Sequence, residues 1–197
     1  MKAIIFDMYG VVIKDPDGLL MPFINNTFPH LTGEDIFPAW RKMDSGEITP
    51  LDFWMQLGFT GEHEKVDRAY LDSIRADDEF FEVAPRLQTK YRLALLSNDV
   101  SAWSAFVREK FDLSRYFETS IISGDVGMRK PNPEIYKLML DALKLPAEEC
   151  MFIDDRRRNL DAAQALGMRV VLFKRGKKDY AGESIGSFKE LLTLLEV

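Results

Sequence analysis

The 197-residue chain has a single cysteine, Cys150, which excludes a disulfide within the chain and fits a reducing compartment. Its two histidines, His30 and His63, show no metal-ligand spacing, which removes a histidine-built metal site from consideration. No apolar run approaches the ~20 residues that a membrane span needs. The amino terminus also lacks the basic segment, long apolar stretch and small-residue cleavage site of a signal peptide, so a cytoplasmic location is expected. Positive charge is short as well: 26 Lys and Arg stand against 32 Asp and Glu, a net charge of −6. That balance opposes nonspecific attraction to nucleic acid or an anionic membrane, which depends on clustered Lys and Arg. Internal repeats and low-complexity tracts are missing too.

With 46% hydrophobic and 29% charged residues, the chain has the makeup of a folded protein. Its length predicts one domain, or one domain carrying a modest insertion. Short continuous apolar runs are expected as strands at Lys2 to Phe6, Tyr91 to Leu96, Thr119 to Ile122, Cys150 to Ile153 and Arg169 to Phe173. None alternates cleanly, which suggests strands covered on both faces, as in a parallel sheet. Helical spacing links Trp103, Phe106 and Val107, and again Ile135, Leu138, Met139 and Ala142. Asn132 is the expected N-cap of the second helix with Pro133 at its first position, and Leu145-Pro146 is expected to close it. A third helix is expected from about Arg157 to Leu166, stopped by Gly167. Strand alternating with helix predicts an α/β fold, a Rossmann-like doubly wound parallel sheet.

Residues 14–78 break the alternation. No strand-like run occurs there, and aromatics recur at helical spacing, Phe37 with Trp40 and Phe53 or Trp54 with Leu57. The segment predicts an inserted helical bundle whose aromatics pack helix against helix. It leaves residues 1–13 and 79–197 as the core.

Ligands of open α/β sheets bind beyond the carboxyl ends of the strands. There the predicted strands deliver Asp7, then Ser97, Asn98 and Asp99, then a segment leading to Lys130, then Asp154 and Asp155. Ionised carboxylates crowd together only around a cation, and hard oxygen ligands suit Mg²⁺. A carboxylate beside a lysine and a hard cation is equipped for phosphoryl transfer through an aspartyl-phosphate.

The segments FDMYGVV (6–12), LLSND (95–99), GMRKPNPEIY (127–136) and FIDDRRRN (152–159) resemble, in order, the four motifs of the haloacid dehalogenase-like hydrolase superfamily. The resemblance implies a Rossmann-like core with a helical cap inserted after the first motif. It implies that Asp7 is the nucleophile and a Mg²⁺ ligand, that Ser97 and Asn98 bind phosphate, and that Lys130 pairs with nucleophile and phosphoryl group. It further implies that Asp154 and Asp155 hold Mg²⁺, with the backbone carbonyl at Tyr9 as another ligand. Gly10 would permit the tight bend that follows.

Phosphatases of that superfamily usually carry a second aspartate two residues after the nucleophile as general acid and base. Here that place is Tyr9, and a tyrosine with a pKa near ~10 is a poor base at neutral pH. Tyr9 resembles the L-2-haloacid dehalogenase branch, as does the placement of Arg41. The pair Asp154-Asp155 resembles phosphatases instead, and the GMRKP and DDxxxN patterns look most like the glucose-1-phosphatase-like subgroup. Three readings follow: a Mg²⁺-dependent phosphatase of a small phosphomonoester, a dehalogenase, or a phosphate-binding regulatory protein with impaired turnover. A cap carboxylate, with Asp15, Asp17, Asp44 and Glu47 as candidates, would have to approach Asp7 to replace the missing acid. The expected partner is a small phosphorylated metabolite, handled by a monomer or homodimer without nucleic acid or membrane. Residues 14–78 hold 6 bases and 13 acids, so a negative lid over the site is also expected.

Overall fold

The computed structural model describes residues 1–14, 20–175 and 180–197. The chain opens with β1 (Ala3–Phe6) and β2 (Ile13–Lys14), and continues with α1 (Leu20–Thr27), α2 (Gly33–Asp44), α3 (Pro50–Gln56) and α4 (His63–Ser73). It then runs through β3 (Arg75–Ala76), α5 (Asp78–Gln88), β4 (Arg92–Ser97), α6 (Ser101–Lys110), β5 (Thr119–Ile122) and α7 (Ser123–Val126). The last elements are α8 (Pro133–Leu143), β6 (Cys150–Asp154), α9 (Arg157–Ala165), β7 (Arg169–Phe173), β8 (Ser184–Ile185) and α10 (Phe188–Leu195).

Six strands form one sheet in the order β5-β4-β1-β6-β7-β8, and every neighbouring pair is parallel. Numbered by their appearance within that sheet, the strands run 3-2-1-4-5-6, the Rossmann order. The apolar runs fail to alternate because both faces are buried. Ile4, Phe6, Leu95 and Ile153 point to one face, where Phe80 of α5, Trp103 of α6 and Phe188 of α10 cover them. Ala3, Ile5, Ala94 and Phe152 point to the other, beneath Ile135 and Met139 of α8 and Leu160 of α9.

The four helices α1 to α4 lie between β2 and β3, which pair antiparallel with Ile13 opposite Ala76 and Lys14 opposite Arg75. The chain therefore leaves and re-enters the sheet unit through one short ribbon. Helix α3 starts on a reciprocal cap. Asp52 N–H donates to Thr49 Oγ1 at 3.1 Å, Asp52 Oδ2 accepts from Thr49 N–H at 3.0 Å, and Pro50 fills the first turn. Phe53 and Trp54 are fully buried, and Trp54 packs 6.3 Å from Trp103, so the helical insertion shares its core with one face of the sheet. Phe37 departs from the expected aromatic packing: its side chain is 45% exposed and faces a cavity.

Asn132 accepts from Glu134 N–H at 3.0 Å with Pro133 at the start of α8, and α9 ends ahead of Gly167 at φ +95, as the sequence leads one to expect. Helix α8 ends earlier than Leu145-Pro146, because Lys144 turns into the left-handed region at φ 53.

Candidate active site

The strand order reverses at β1, with β4 on one side and β6 on the other, and a crevice opens above their carboxyl ends. Asp7 follows β1 and Asp154 ends β6, and the ladder continues between them as Asp7 N–H donates to Ile153 O at 2.8 Å. Lys130 reaches up between the two carboxylates. Its Nζ lies 2.8 Å from Asp7 Oδ1 and 2.9 Å from Asp154 Oδ2, and the residue is 1% exposed. A buried ammonium is tolerated there because two carboxylates face it. Burial by itself would lower the Lys130 pKa, but Asp154 and Asp7 together raise it above the ordinary value.

Asn98, just beyond β4, fixes the lysine from below. Its Nδ2 donates to Lys130 O at 2.9 Å and its Oδ1 accepts from Lys130 N–H at 2.7 Å, so its whole side-chain amide is spent on the lysine's backbone. Asp154 also accepts from Arg156 N–H at 2.7 Å and from Asn159 Nδ2 at 3.1 and 3.0 Å. Tyr136 OH in turn donates to Asn159 O at 2.9 Å. Ser97 is fully buried and its Oγ has no hydrogen-bond partner among the described residues. Neither Ser97 nor Asn98 caps α6, whose N-cap is Val100.

Oxygens of Asp7, Asp154 and Asp155 come within 4.8 Å of one another. Burial pushes the Asp7 carboxyl up to about 6 against the pull of Lys130. Burial followed by the charges of Asp7 and Asp154 pushes Asp155 up to about 7. Asp155 Oδ1 is buried without a hydrogen-bond partner among the described residues. Three hard oxygen donors, under-neutralised and with one orphaned atom, fit a divalent cation such as Mg²⁺. Gly10 makes their approach possible: it sits at φ +83, and a Cβ there would lie 2.7 Å from the Asp155 carboxyl.

A cavity of about 470 Å³ opens over this cluster. Asp7, Tyr9, Asn98 and Lys130 line it, whereas Ser97, Asp154 and Asp155 do not. Tyr9 OH donates to Asp99 Oδ2 at 3.3 Å, and burial raises the Asp99 carboxyl well above the usual carboxylate range. From the sheet unit come Arg129, Arg156, Arg158 and Asn159; from the helical insertion come Met21, Phe37, Trp40, Arg41, Asp44 and Tyr70.

Among the described residues the lining differs from the negative lid expected. Of the insertion's acids, Asp44 alone lines the cavity among the described residues, and Arg129 Nη2 pairs with its Oδ2 at 2.7 Å. Asp44 is 1% exposed and burial lifts its carboxyl to about 6 despite that arginine. Its main-chain carbonyl accepts from Ser123 Oγ, which ties the end of α2 to the sheet unit. Glu47 is exposed and accepts from Ser45 Oγ at 2.9 Å, and Asp15 and Asp17 lie outside the described residues. The three consecutive arginines separate: Arg156 and Arg158 line the cavity, while Arg157 turns outward, 3.8 Å from Asp161. Arg129 is a cavity residue that sequence reading overlooked. Its only signal was its place beside Lys130.

The sequence model of haloacid dehalogenase-like hydrolases matches residues 1–167. The D-ribitol-5-phosphate phosphatase of Bacteroides thetaiotaomicron is 27% identical, covering 84% of this chain and 88% of the relative. The bifunctional epoxide hydrolase 2 of Sus scrofa is 29% identical over 88% of this chain. The chain spans less than half the length of the first curated relatives it matches, 36% in the epoxide hydrolase. Among solved structures, a HAD family enzyme of Bacteroides thetaiotaomicron in complex with magnesium and inorganic phosphate superposes with a TM-score of 0.75. It is 26% identical, covering 91% of this chain and 97% of that one.

Proposed function

The chain belongs to the haloacid dehalogenase-like hydrolases, and from that premise we propose that it is a Mg²⁺-dependent phosphatase of a small phosphomonoester, acting through an aspartyl-phosphate on Asp7. The observation that carries this reading is Lys130, buried between Asp7 and Asp154, with Asp155 completing a three-carboxylate cluster. A chemistry that needed no cation would gain nothing from gathering a third carboxylate, Asp155, beside two buried acids that share one lysine. Phosphatase and magnesium–phosphate relatives add support.

Asp7 lines the cavity and is the carboxylate placed to attack phosphorus; its oxygen bonds to phosphorus as the ester P–O bond breaks, the leaving oxygen takes a proton from water to depart as the alcohol, and a second water hydrolyses the acyl phosphate to return Asp7 and inorganic phosphate. Lys130 holds Asp7 in place and neutralises negative charge arriving at the phosphoryl oxygens. Asp7, Asp154, Asp155 and the Tyr9 carbonyl would hold Mg²⁺, which supplies Lewis-acid polarisation of the phosphoryl group when bound. Asn98, which lines the cavity, and Ser97, whose buried Oγ has no hydrogen-bond partner among the described residues but does not line it, would serve as the phosphate-binding pair. Asn98's side chain acts as a brace for Lys130.

In this reading residues 14–78 form a cap over a core of residues 1–13 and 79–197, and the protein works in the cytoplasm as a monomer or homodimer on a small phosphorylated metabolite. No helix among the described residues is long and apolar enough to cross a membrane. The test is hydrolysis of p-nitrophenyl phosphate with Mg²⁺ and with EDTA, for wild type and Asp7→Asn, beside halide release from L-2-chloropropionate. Turnover lost in EDTA and in Asp7→Asn is expected. Metal-independent halide release would overturn the reading.

A further inference from the structure

Four arginines line the cavity of a chain whose net charge is −6, and they differ in how they are neutralised. Arg129 pairs with Asp44 at 2.7 Å, and Arg156 lies 3.8 Å from Asp155. Arg41 and Arg158 have no carboxylate within ion-pair distance among the described residues, and both are exposed to the cavity mouth. They come from opposite sides, Arg41 from α2 of the insertion and Arg158 from α9 of the sheet unit. Burial first, and then the guanidiniums of Arg156, Arg129 and Arg41, hold the Arg158 pKa below its ordinary value. Uncompensated like charges gathered at one mouth cost free energy unless an anion joins them.

Lys130, buried against Asp7 and Asp154, marks the phosphoryl position, and neither Arg41 nor Arg158 is within ion-pair distance of those carboxylates among the described residues, so the two arginines stand apart from it. We propose that Arg41 and Arg158 form a second anion subsite, and that the natural substrate is a phosphomonoester carrying a further anionic group, a carboxylate or second phosphate. The inference rests on the phosphatase reading for the position of the first phosphate. Phe37 and Trp40, also on α2, line the cavity and would flank the short carbon skeleton between the two charged ends. Guanidinium forks match carboxylate and phosphate oxygens in geometry as well as charge.

Calorimetric titration in Mg²⁺ separates the two ideas. The probes are alkylphosphonates of graded chain length, each compared with the phosphonate of the same length ending in carboxylate or in a second phosphonate. An exposed ion pair contributes ~0.2–1 kcal/mol, so two arginines together should tighten binding of a doubly charged probe by about twofold to thirtyfold. In the double variant Arg41→Gln, Arg158→Gln that preference should fall toward one. Arg157→Gln, changed on the outward side of the same helix, should retain it. The carboxylate and bisphosphonate arms identify which second anion is read. Binding of every probe with no preference for double charge overturns this inference alone, and so does a preference that survives the double variant. Failure of all phosphonates to bind overturns the phosphatase reading beneath it.

Discussion

Replacing Lys130 by Met tests the central geometry directly. The substitution keeps volume and removes the ammonium that lies 2.8 Å from Asp7 and 2.9 Å from Asp154. Breaking a buried ion pair by deleting one partner costs about 3–5 kcal/mol. The lower end applies here, because Asp154 keeps the Arg156 and Asn159 donors and Asp7 keeps the Met8 N–H. For a domain of this size about 1 kcal/mol moves Tm by roughly 2–4 °C, so a loss of ~3 kcal/mol lowers Tm by about 6–12 °C.

The loss should depend on pH in a definite sense. Asp7 titrates at about 6 in the folded protein against an ordinary 3.8, so the folded state binds that proton more tightly than the unfolded chain. Stability contributed by the protonated form is therefore present at low pH and lost as pH rises through that window. Without Lys130, which pulls the value down, the window moves further up. Thermal melts by circular dichroism in EDTA should show the full drop near about pH 8 and a much smaller one near about pH 5. Added Mg²⁺ should raise the Tm of the variant more than that of the wild type, since the cation replaces missing positive charge. A variant that melts with wild type in EDTA at the higher pH, or that loses more at the lower pH, would refute the buried-pair argument.

Gly10→Ala should weaken Mg²⁺ affinity and turnover together. Its φ of +83 costs a residue with a Cβ about 1–2 kcal/mol, and that Cβ would displace the Asp155 carboxyl; Mg²⁺ titration of activity and of Tm checks it. Arg129→Met leaves Asp44 buried and unpaired, so about 3 kcal/mol of stability should be lost. Because the Asp44 carboxyl is already raised to about 6, that loss should be larger above this pH than below it, as melts at the two extremes will show. Trp54→Ala, in the fully buried centre of the helical insertion, should cost about 3–5 kcal/mol by denaturant unfolding.

Most of the sheet was legible because its strands are buried on both faces and so appear as unbroken apolar runs ending in a polar residue. β5 and β7 fall at their predicted ends, and β4 and β6 each extend one residue further, into Ser97 and Asp154. That placement, with the strand order, brings Asp7, Asp154 and Asp155 together, and Asn98 just after β4 anchors the Lys130 main chain beside them. The two-residue strands β2, β3 and β8 carry no period and left no trace. Helices α5 and α10 are not among the predicted elements, although Phe80, Val83, Ala84 and Leu87, and Phe188, Leu191, Leu192 and Leu195, stand at helical spacing. Phe37 shows the limit of periodicity. Its spacing from Trp40 identifies a helix face but not what covers that face, and here the cover is the cavity. Asn98 shows another limit, since a motif position says that a residue belongs to the site without saying that its amide is committed to the Lys130 backbone.

Charge is where sequence averaging misled most. A net of −7 over residues 14–78 describes the insertion's whole surface, and a helix turns most of its residues away from any one partner. Asp35 and Asp52 are spent as caps on Thr32 and Thr49, Asp67 accepts from Trp54 Nε1, and Asp72 pairs with Arg68. None of these four lines the cavity. The field inside is set by the few side chains that do line it, and among the described residues arginines and Lys130 there face Asp7 and a single insertion acid that Arg129 already holds. An acidic insertion thus contributes to a chamber lined mainly by basic side chains among the described residues. What selects an anion is the direction in which each charge points, and that is fixed by helix registry and capping, which composition does not carry.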